Sequence, residues 1–261
     1  MSLLVIVKCF ILQQIYGLSD PRLEEEIADR RSFQIFLGLS SGDTIPDETT
    51  ICRYWDFFAR QGLDRKLFHA FNQQLRDAGL ILGKGTIVDA SIKQSYTKPS
   101  DKSRDTDAKF LKRGKKTYFG YKSHIGIDSK TNVIHSTEFT PANVHDSDML
   151  DHLTTGKEQA VLADKGYANE KRRGRLHRQG TFYGVLNKAY RNRALSAKQR
   201  KQNKKLSVAR NPVERPFAFM KHVLNYERCR YYNLERNRFH FNFLAVVYNL
   251  RRAITLSAGP A

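Results

Sequence analysis

Cysteine is scarce in this chain: three in 261 residues, at Cys9, Cys52 and Cys229, odd in number, far apart and never in a C-x-x-C pair. That pattern excludes a disulfide framework and a cysteine zinc site, and it predicts a reducing, cytoplasmic setting. Cys229 lies between Arg228 and Arg230, which can lower a thiol pKa, but a buried, idle thiol is the simpler reading. Long apolar runs are also missing. Residues 3–7 are apolar, but Lys8 interrupts them, Gln13 and Gln14 follow, and no small-residue cleavage site appears. The run falls well short of the roughly 20 residues that span a bilayer, so no targeting or membrane segment is expected. Walker A, G-x-S-x-G, HExxH and H-x-E with paired cysteines are all absent, which removes the obvious ATPase, serine hydrolase and zinc-enzyme readings. Acid is the last shortage: 26 Asp+Glu face 45 Lys+Arg, for a formal charge of +19. A polyanion is therefore the default partner, nucleic acid before anionic membrane.

What is present is enough for a core. The hydrophobic fraction of 40% is too high for a disordered basic tail. Residues 1–80 read as helices with short connections. Leu4, Val7, Ile11, Ile15 and Leu18 recur at helical spacing, and Ser19-Asp20-Pro21 is a capped helix start. Leu23, Ile27, Phe33, Phe36 and Leu37 follow. After a loop over 38–46, Asp47-Glu48 opens a helix with Ile51, Tyr54, Trp55 and Phe58, and residues 63–78 make another with Leu67, Phe71 and Leu75. From Gly83 the texture is β. Thr86-Ile87-Val88-Asp89 is a short β-branched strand, residues 97–116 read as a long loop, and 117–128 with 132–140 read as a hairpin. A helix from 146 to 153, a strand over 159–164, a basic helix over 170–179 and a strand over 181–186 come next. Residues 196–225 read as helix interrupted by Pro212 and Pro216, and 235–254 as a last amphipathic helix. The order is α/β, with a helical N-terminal domain over 1–80 and a second domain over 81–261.

Charge and acid converge in the second half. Residues 157–205 hold fifteen Lys or Arg, Arg191 among them, against only Glu158, Asp164 and Glu170, with Tyr167, Phe182, Tyr183 and Tyr190 interleaved. A continuous surface of this kind binds phosphates with steep salt dependence. Asp89 and Asp164 each close a short apolar run, a position at a sheet edge that also suits a simple turn former. Glu214 follows Asn211-Pro212-Val213, which doubles as a capping-box pattern. In a phosphate-seeking protein three carboxylates suit Mg²⁺, and two such ions roughly 3.5–4 Å apart serve in-line phosphoryl displacement. Arg210, Glu214 and Lys221 are spaced to share one helix face, beside an apolar stripe of Val213, Phe217, Met220 and Leu224. Pro216 should kink the first turns of that helix.

Ordered blocks run the length of the chain: Val7-Lys8, Gln13-Gln14-Ile15-Tyr16-Gly17-Leu18-Ser19-Asp20, Ile45-Pro46-Asp47-Glu48-Thr49-Thr50-Ile51-Cys52-Arg53 and Gly85-Thr86-Ile87-Val88-Asp89-Ala90. They continue through Tyr121-Lys122-Ser123-His124-Ile125-Gly126-Ile127-Asp128, Ala142-Asn143-Val144-His145-Asp146-Ser147, Ala163-Asp164-Lys165-Gly166-Tyr167 and Val213-Glu214-Arg215-Pro216-Phe217. On these blocks the chain resembles an insertion-sequence transposase of the IS5 group, within the IS4-related DDE class. The resemblance implies an RNase H-like core with a mixed five-stranded sheet and flanking helices, and Asp89, Asp164 and Glu214 as a metal-holding DDE triad. It implies two Mg²⁺ ions, with Mn²⁺ as a substitute. The signature around the last acid runs Tyr, two residues, Arg, three residues, Glu, six residues, Lys. Arg210, Glu214 and Lys221 match it, and Ser207 stands where Tyr is usual.

The expected DNA contacts are Arg210, Lys221, Lys165, Lys122 and His124, with His145 a further candidate; a structural hydrogen-bonding role is the plainer reading of both histidines. The expected partners are double-stranded DNA, as terminal inverted repeats and target, and further copies of the chain in a dimer or higher assembly on DNA, in a bacterial, nucleoid-associated setting. Related chains usually extend further upstream, so this one reads as shortened at its N-terminus. Two competitors stand beside the transposase reading: a catalytically idle DNA-binding remnant that inhibits a full-length partner, and a host RNase H-like nuclease.

Overall fold

In the computed structural model, which describes residues 2–40, 42–99, 105–190 and 192–259, the helix-start signals act as written. The Ser19 hydroxyl accepts from the Arg22 amide, the Asp47 carboxylate from the Thr50 amide and the Ser196 hydroxyl from the Gln199 amide. The N-terminal helices are α1 (Leu3–Tyr16), α2 (Asp20–Asp29), α3 (Arg31–Leu37), α4 (Glu48–Arg60) and α5 (Leu63–Asp77). They are followed by β1 (Gly85–Gln94), β2 (Lys109–Arg113), β3 (Lys116–Asp128), β4 (Ile134–Pro141), α6 (Asp146–Met149) and β5 (Ala160–Ala163). The chain continues through α7 (Glu170–Arg178), β6 (Phe182–Val185), α8 (Ala197–Arg210), α9 (Glu214–His222) and α10 (Leu234–Ser257). No single helix among the described residues is long and apolar enough to cross a membrane.

Six strands form one mixed sheet. β3 lies antiparallel between β1 and β4, while β5 runs parallel to β1 and β6 parallel to β5. The order β4-β3-β1-β5-β6 is the mixed five-stranded arrangement expected, and β2 is an addition to it. β2 occupies part of the segment the sequence reads as loop; residues 100–104 of that segment lie outside the described residues, as does Arg191. Polar composition hides β2 because neither of its faces is buried.

The hydrophobic core runs from the N-terminal helices through α10 to the sheet. Phe10 of α1 meets Trp55 at 5.0 Å between ring centroids, and Trp55 meets Phe239 of α10 at 4.6 Å. Fully burying each such ring contributes about 1.5–3 kcal/mol. The buried face of α1 is Ile6, Cys9, Phe10 and Gln13, whereas Leu4 and Ile15 of the expected stripe are exposed. α10 rotates the helix into that setting. Phe10 wedges against Phe243, and Gln14 Oε1 meets the His240 ring at 3.0 Å, so a glutamine is buried because it is partnered. Further along α10, Asn249 accepts from the Ile134 amide and donates to the Ile134 carbonyl, at 2.9 and 2.7 Å. The same side chain donates to Asn72 of α5 at 3.0 Å, so β4, α5 and α10 share one polar clasp.

The long helix expected over 196–225 is two helices. Pro212 sits in a 3₁₀ turn (Asn211–Val213) that separates α8 from α9. Pro216 then falls in the first turn of α9, where its missing amide costs nothing, and the expected kink there does not arise. Asn211 caps the end of α8, and α9 begins without a side-chain cap, so the capping box is not formed.

Candidate active site

Strand register brings two of the three expected acids together. β1 and β5 are paired in parallel up to Val88 and Ala163, which makes Asp89 and Asp164 the next residues on adjacent strands. Asp89 is not the end of its strand, since β1 runs on to Gln94 against β3. Asp164 is: it leads into a 3₁₀ turn (Lys165–Tyr167). Burial pushes the Asp89 carboxyl above its ordinary pKa, and the nearby Asp164 charge adds to this. The Arg210 guanidinium and the Ala90 amide act the other way. Arg210 Nη1 stands 3.1 Å from Asp89 Oδ2, with both side chains mostly shielded from solvent. Nε and Nη1 of Arg210 nonetheless complete no hydrogen bond of good geometry among the described residues. The contact is a charge pairing across a confined space.

The third acid is placed differently. Glu214 is exposed at the start of α9, delivered by the 3₁₀ turn that packs on β1. Among the described residues no group of three His, Cys, Asp or Glu side chains converges to hold a metal ion. Two hard-oxygen donors on adjacent strands, burdened by burial and offset by a cation, fit a divalent ion; Glu214 does not complete the set in this arrangement.

A cleft of about 510 Å³ opens beside Asp164. Lys122, His145, Asp146, Lys165 and Lys188 line it, together with Leu111, Lys112 and Arg113 of β2. Lys165, an expected DNA contact, is exposed there. Lys122 is engaged from within: its amine pairs with Asp146 Oδ1 at 2.8 Å and donates to the Val144 carbonyl at 2.8 Å. His124 corrects the expectation of a DNA contact. Its ring is sealed inside β3, with Nε2 2.9 Å from Thr140 Oγ1, and burial lowers its pKa to about 4. His145 caps α6, its Nδ1 accepting from the Ser147 amide at 3.2 Å, while the ring faces the cleft. Lys221 stands on exposed α9, 3.1 Å from Glu227, away from the cleft lining. The helix break explains why it does not join Arg210 on one face.

Composition also overstates the free basic surface. Arg172 is buried and donates to the Ser147 carbonyl at 2.7 Å and to Asp151 at 3.2 Å, tying α7 to the turn after α6. Arg175 pairs with the same Asp151. Burial opposes ionisation of Asp151, but the bonds from Arg172 and Arg175 outweigh it and hold the carboxyl below its usual range. Tyr167, read from the sequence as an aromatic of the basic surface, is instead buried. Its hydroxyl is buried without a partner among the described residues, in the field of Asp146, Asp89 and Asp164, and burial pushes its pKa up. Cys229 is buried and its thiol pKa is raised, so the flanking arginines do not activate it.

Residues 81–250 match the transposase DDE domain family, and residues 1–56 match a transposase domain family (DUF772). The first match covers the sheet, both strand acids, the α8–α9 junction and most of α10, and the DDE domain is RNase H-like. The chain belongs to the DDE transposase family.

Proposed function

We propose that the protein is an insertion-sequence transposase of the IS5 group that cleaves the phosphodiester at its element's ends and joins the released end to target DNA. The observation that carries this reading is the pairing of Asp89 with Asp164 by strand register, beside a cation-lined cleft. Asp89 and Asp164 would hold Mg²⁺, with Glu214 as the third ligand. When bound, such ions supply activation of the attacking oxygen and charge compensation for the leaving one.

The chain's own groups supply the rest. β1 and β5 fix the two carboxylates, Lys165 and Lys188 hold phosphates along the cleft, and the Lys122–Asp146 pair braces the α6 side of it. Arg210 pairs with Asp89 at 3.1 Å and would compensate charge on that carboxylate and on a substrate phosphate beside it. Lys221 contacts DNA further out, and residues 1–80 serve recognition of terminal inverted repeats and assembly of a dimer or larger complex. In this scheme water attacks first and releases a 3′-OH, and that hydroxyl then attacks target DNA, with no covalent enzyme intermediate.

Two observations favour a second reading, the catalytically idle DNA-binding remnant: among the described residues Glu214 does not converge with the pair, and Arg210 is paired with Asp89. Incubation of the full chain with end-bearing DNA and Mg²⁺ or Mn²⁺ separates the two. Cleavage that Asp89→Asn and Asp164→Asn both abolish, while DNA binding persists, supports the transposase. Binding of wild type without any cleavage supports the remnant.

A further inference from the structure

No acidic residue occurs from 108 to 127, while five of the eight residues at 109–116 are Lys or Arg. A charge run of this kind is ordinarily a solvated face, but three features set this one apart. First, it is folded into a hairpin. β2 and β3 pair in register, Phe110 opposite Phe119 with ring centroids 5.0 Å apart, and Gly114 takes a φ of +62° in the turn. At the hairpin's root, Gly120 lets β1 press close, since a Cβ there would lie 2.2 Å from the Lys93 carbonyl. Second, the pairing sets Arg113 directly opposite Lys116. Like charges in that position destabilise a ladder. Among the described residues no carboxylate pairs with Lys112, Arg113, Lys115 or Lys116, so none of them relieves the repulsion. Third, the tip is not directed at open solvent alone: Lys112 and Arg113 form a wall of the cleft that also holds Asp164 and Lys165.

We infer that the β2–β3 hairpin is a DNA-gripping arm, which holds backbone phosphates across the cleft from the strand acids. The missing counter-charge for Arg113 and Lys116 is then the duplex itself. Lys165 and Lys188 hold the strand on one side, the hairpin holds it on the other, and the reacting phosphodiester is fixed from both. This inference rests on the transposase reading and adds a contact surface outside the DDE residues.

The test is binding of the full chain, without divalent metal, to a duplex of about 30 base pairs of arbitrary sequence over a range of salt. Lys112→Ala/Arg113→Ala should lower the slope of log affinity against log salt by about 1.8 and weaken binding roughly tenfold at moderate salt. The charge-keeping Lys112→Arg/Arg113→Lys should retain the wild-type slope. Lys84→Ala/Lys130→Ala, which removes the same charge at the far end of β1 and β3, should leave the slope in place. If the first variant does not melt like wild type, Lys115→Ala/Lys116→Ala in the same arm replaces it, with the same expected drop. Tight, salt-dependent wild-type binding with an unchanged slope in the hairpin variants overturns the arm and leaves the transposase reading standing. A wild-type chain that shows no salt-dependent duplex binding overturns both. A drop seen with single-stranded RNA but not with the duplex overturns the assignment to DNA.

Discussion

The strand ends that carry Asp89 and Asp164 and the junction that carries Arg210, Glu214 and Lys221 are held on different terms. The first pair stands on a ladder of backbone hydrogen bonds running through the middle of the sheet, with buried Val88, Val161 and Ala163 behind it. A change of register there would turn every side chain of β1 to the opposite face, so the placement is strongly specified. The second set is spread over the end of α8, a three-residue 3₁₀ turn and the exposed side of α9. Among the described residues its charge link to the first is the Arg210–Asp89 pair. The first region sets two carboxylates side by side through strand pairing, and the second keeps Glu214 on an exposed helix start.

The largest expected effect tests the rigid side directly. Asp89→Asn or Asp164→Asn should reduce cleavage of end-bearing DNA by at least about 10²-fold, measured with chains whose melting matches wild type. A smaller loss than that from Glu214→Gln would shift the chemistry to the junction and break the contrast. Next comes the clasp that locks the sheet to α10. Asn249→Leu leaves the Ile134 amide and the Asn72 side-chain oxygen without this partner in the interior, although Asn72 still donates to the Ile134 carbonyl, and should cost about 2–3 kcal/mol in urea unfolding. Asn72→Ala, which leaves both Ile134 backbone groups bonded to Asn249, should cost less.

Acid should then weaken the sheet before the junction. Burial lowers the His124 and His135 pKa values to about 4, from an ordinary value near 6.5. Between those limits the unfolded chain takes up protons that the folded chain refuses. Their contribution to stability is therefore complete above about pH 6.5 and falls as the pH drops towards 4. The urea midpoint should decline across that window, and His124→Gln should flatten the decline. The smallest effect belongs to the junction. Pro212→Ala should change stability by no more than about 1 kcal/mol, because the proline already sits at a helix break. A gain in helical signal would show that Pro212 alone keeps α8 and α9 apart.

How much of this is legible from residues follows the same division. Val88-Asp89 and Ala163-Asp164 read correctly as buried strand, because a β-branched or apolar run is a local signal; Asp164 closes its strand as expected, whereas β1 runs on past Asp89 to Gln94. Residues 117–128 and 132–140 read correctly as a hairpin for the same reason. Arg210, Glu214 and Lys221 share a face only if one helix runs through them, and Pro212 redirects the chain before Glu214. β2 is invisible to a pattern method, since its burial alternates on neither face. Arg172 looks like one base among fifteen, and only the fold shows that Asp151, outside the basic segment, claims it. His124 lies in a block that resembles transposases, yet its neighbours on β3 bury it. Sequence places the acids, and tertiary packing decides which bases are free.

The packing of α1 against α10 has a consequence for how the chain is made. Phe10 finds Phe239 and Phe243 only after more than two hundred further residues have been translated. At roughly 5–20 residues per second, that leaves the apolar faces of the first helices unsatisfied for some tens of seconds on the ribosome. Trp55, which packs edge-on against Phe239, waits in the same way. A chain that stops before α10 lacks Phe239 and Phe243, and the apolar faces around Phe10 and Trp55 stay open.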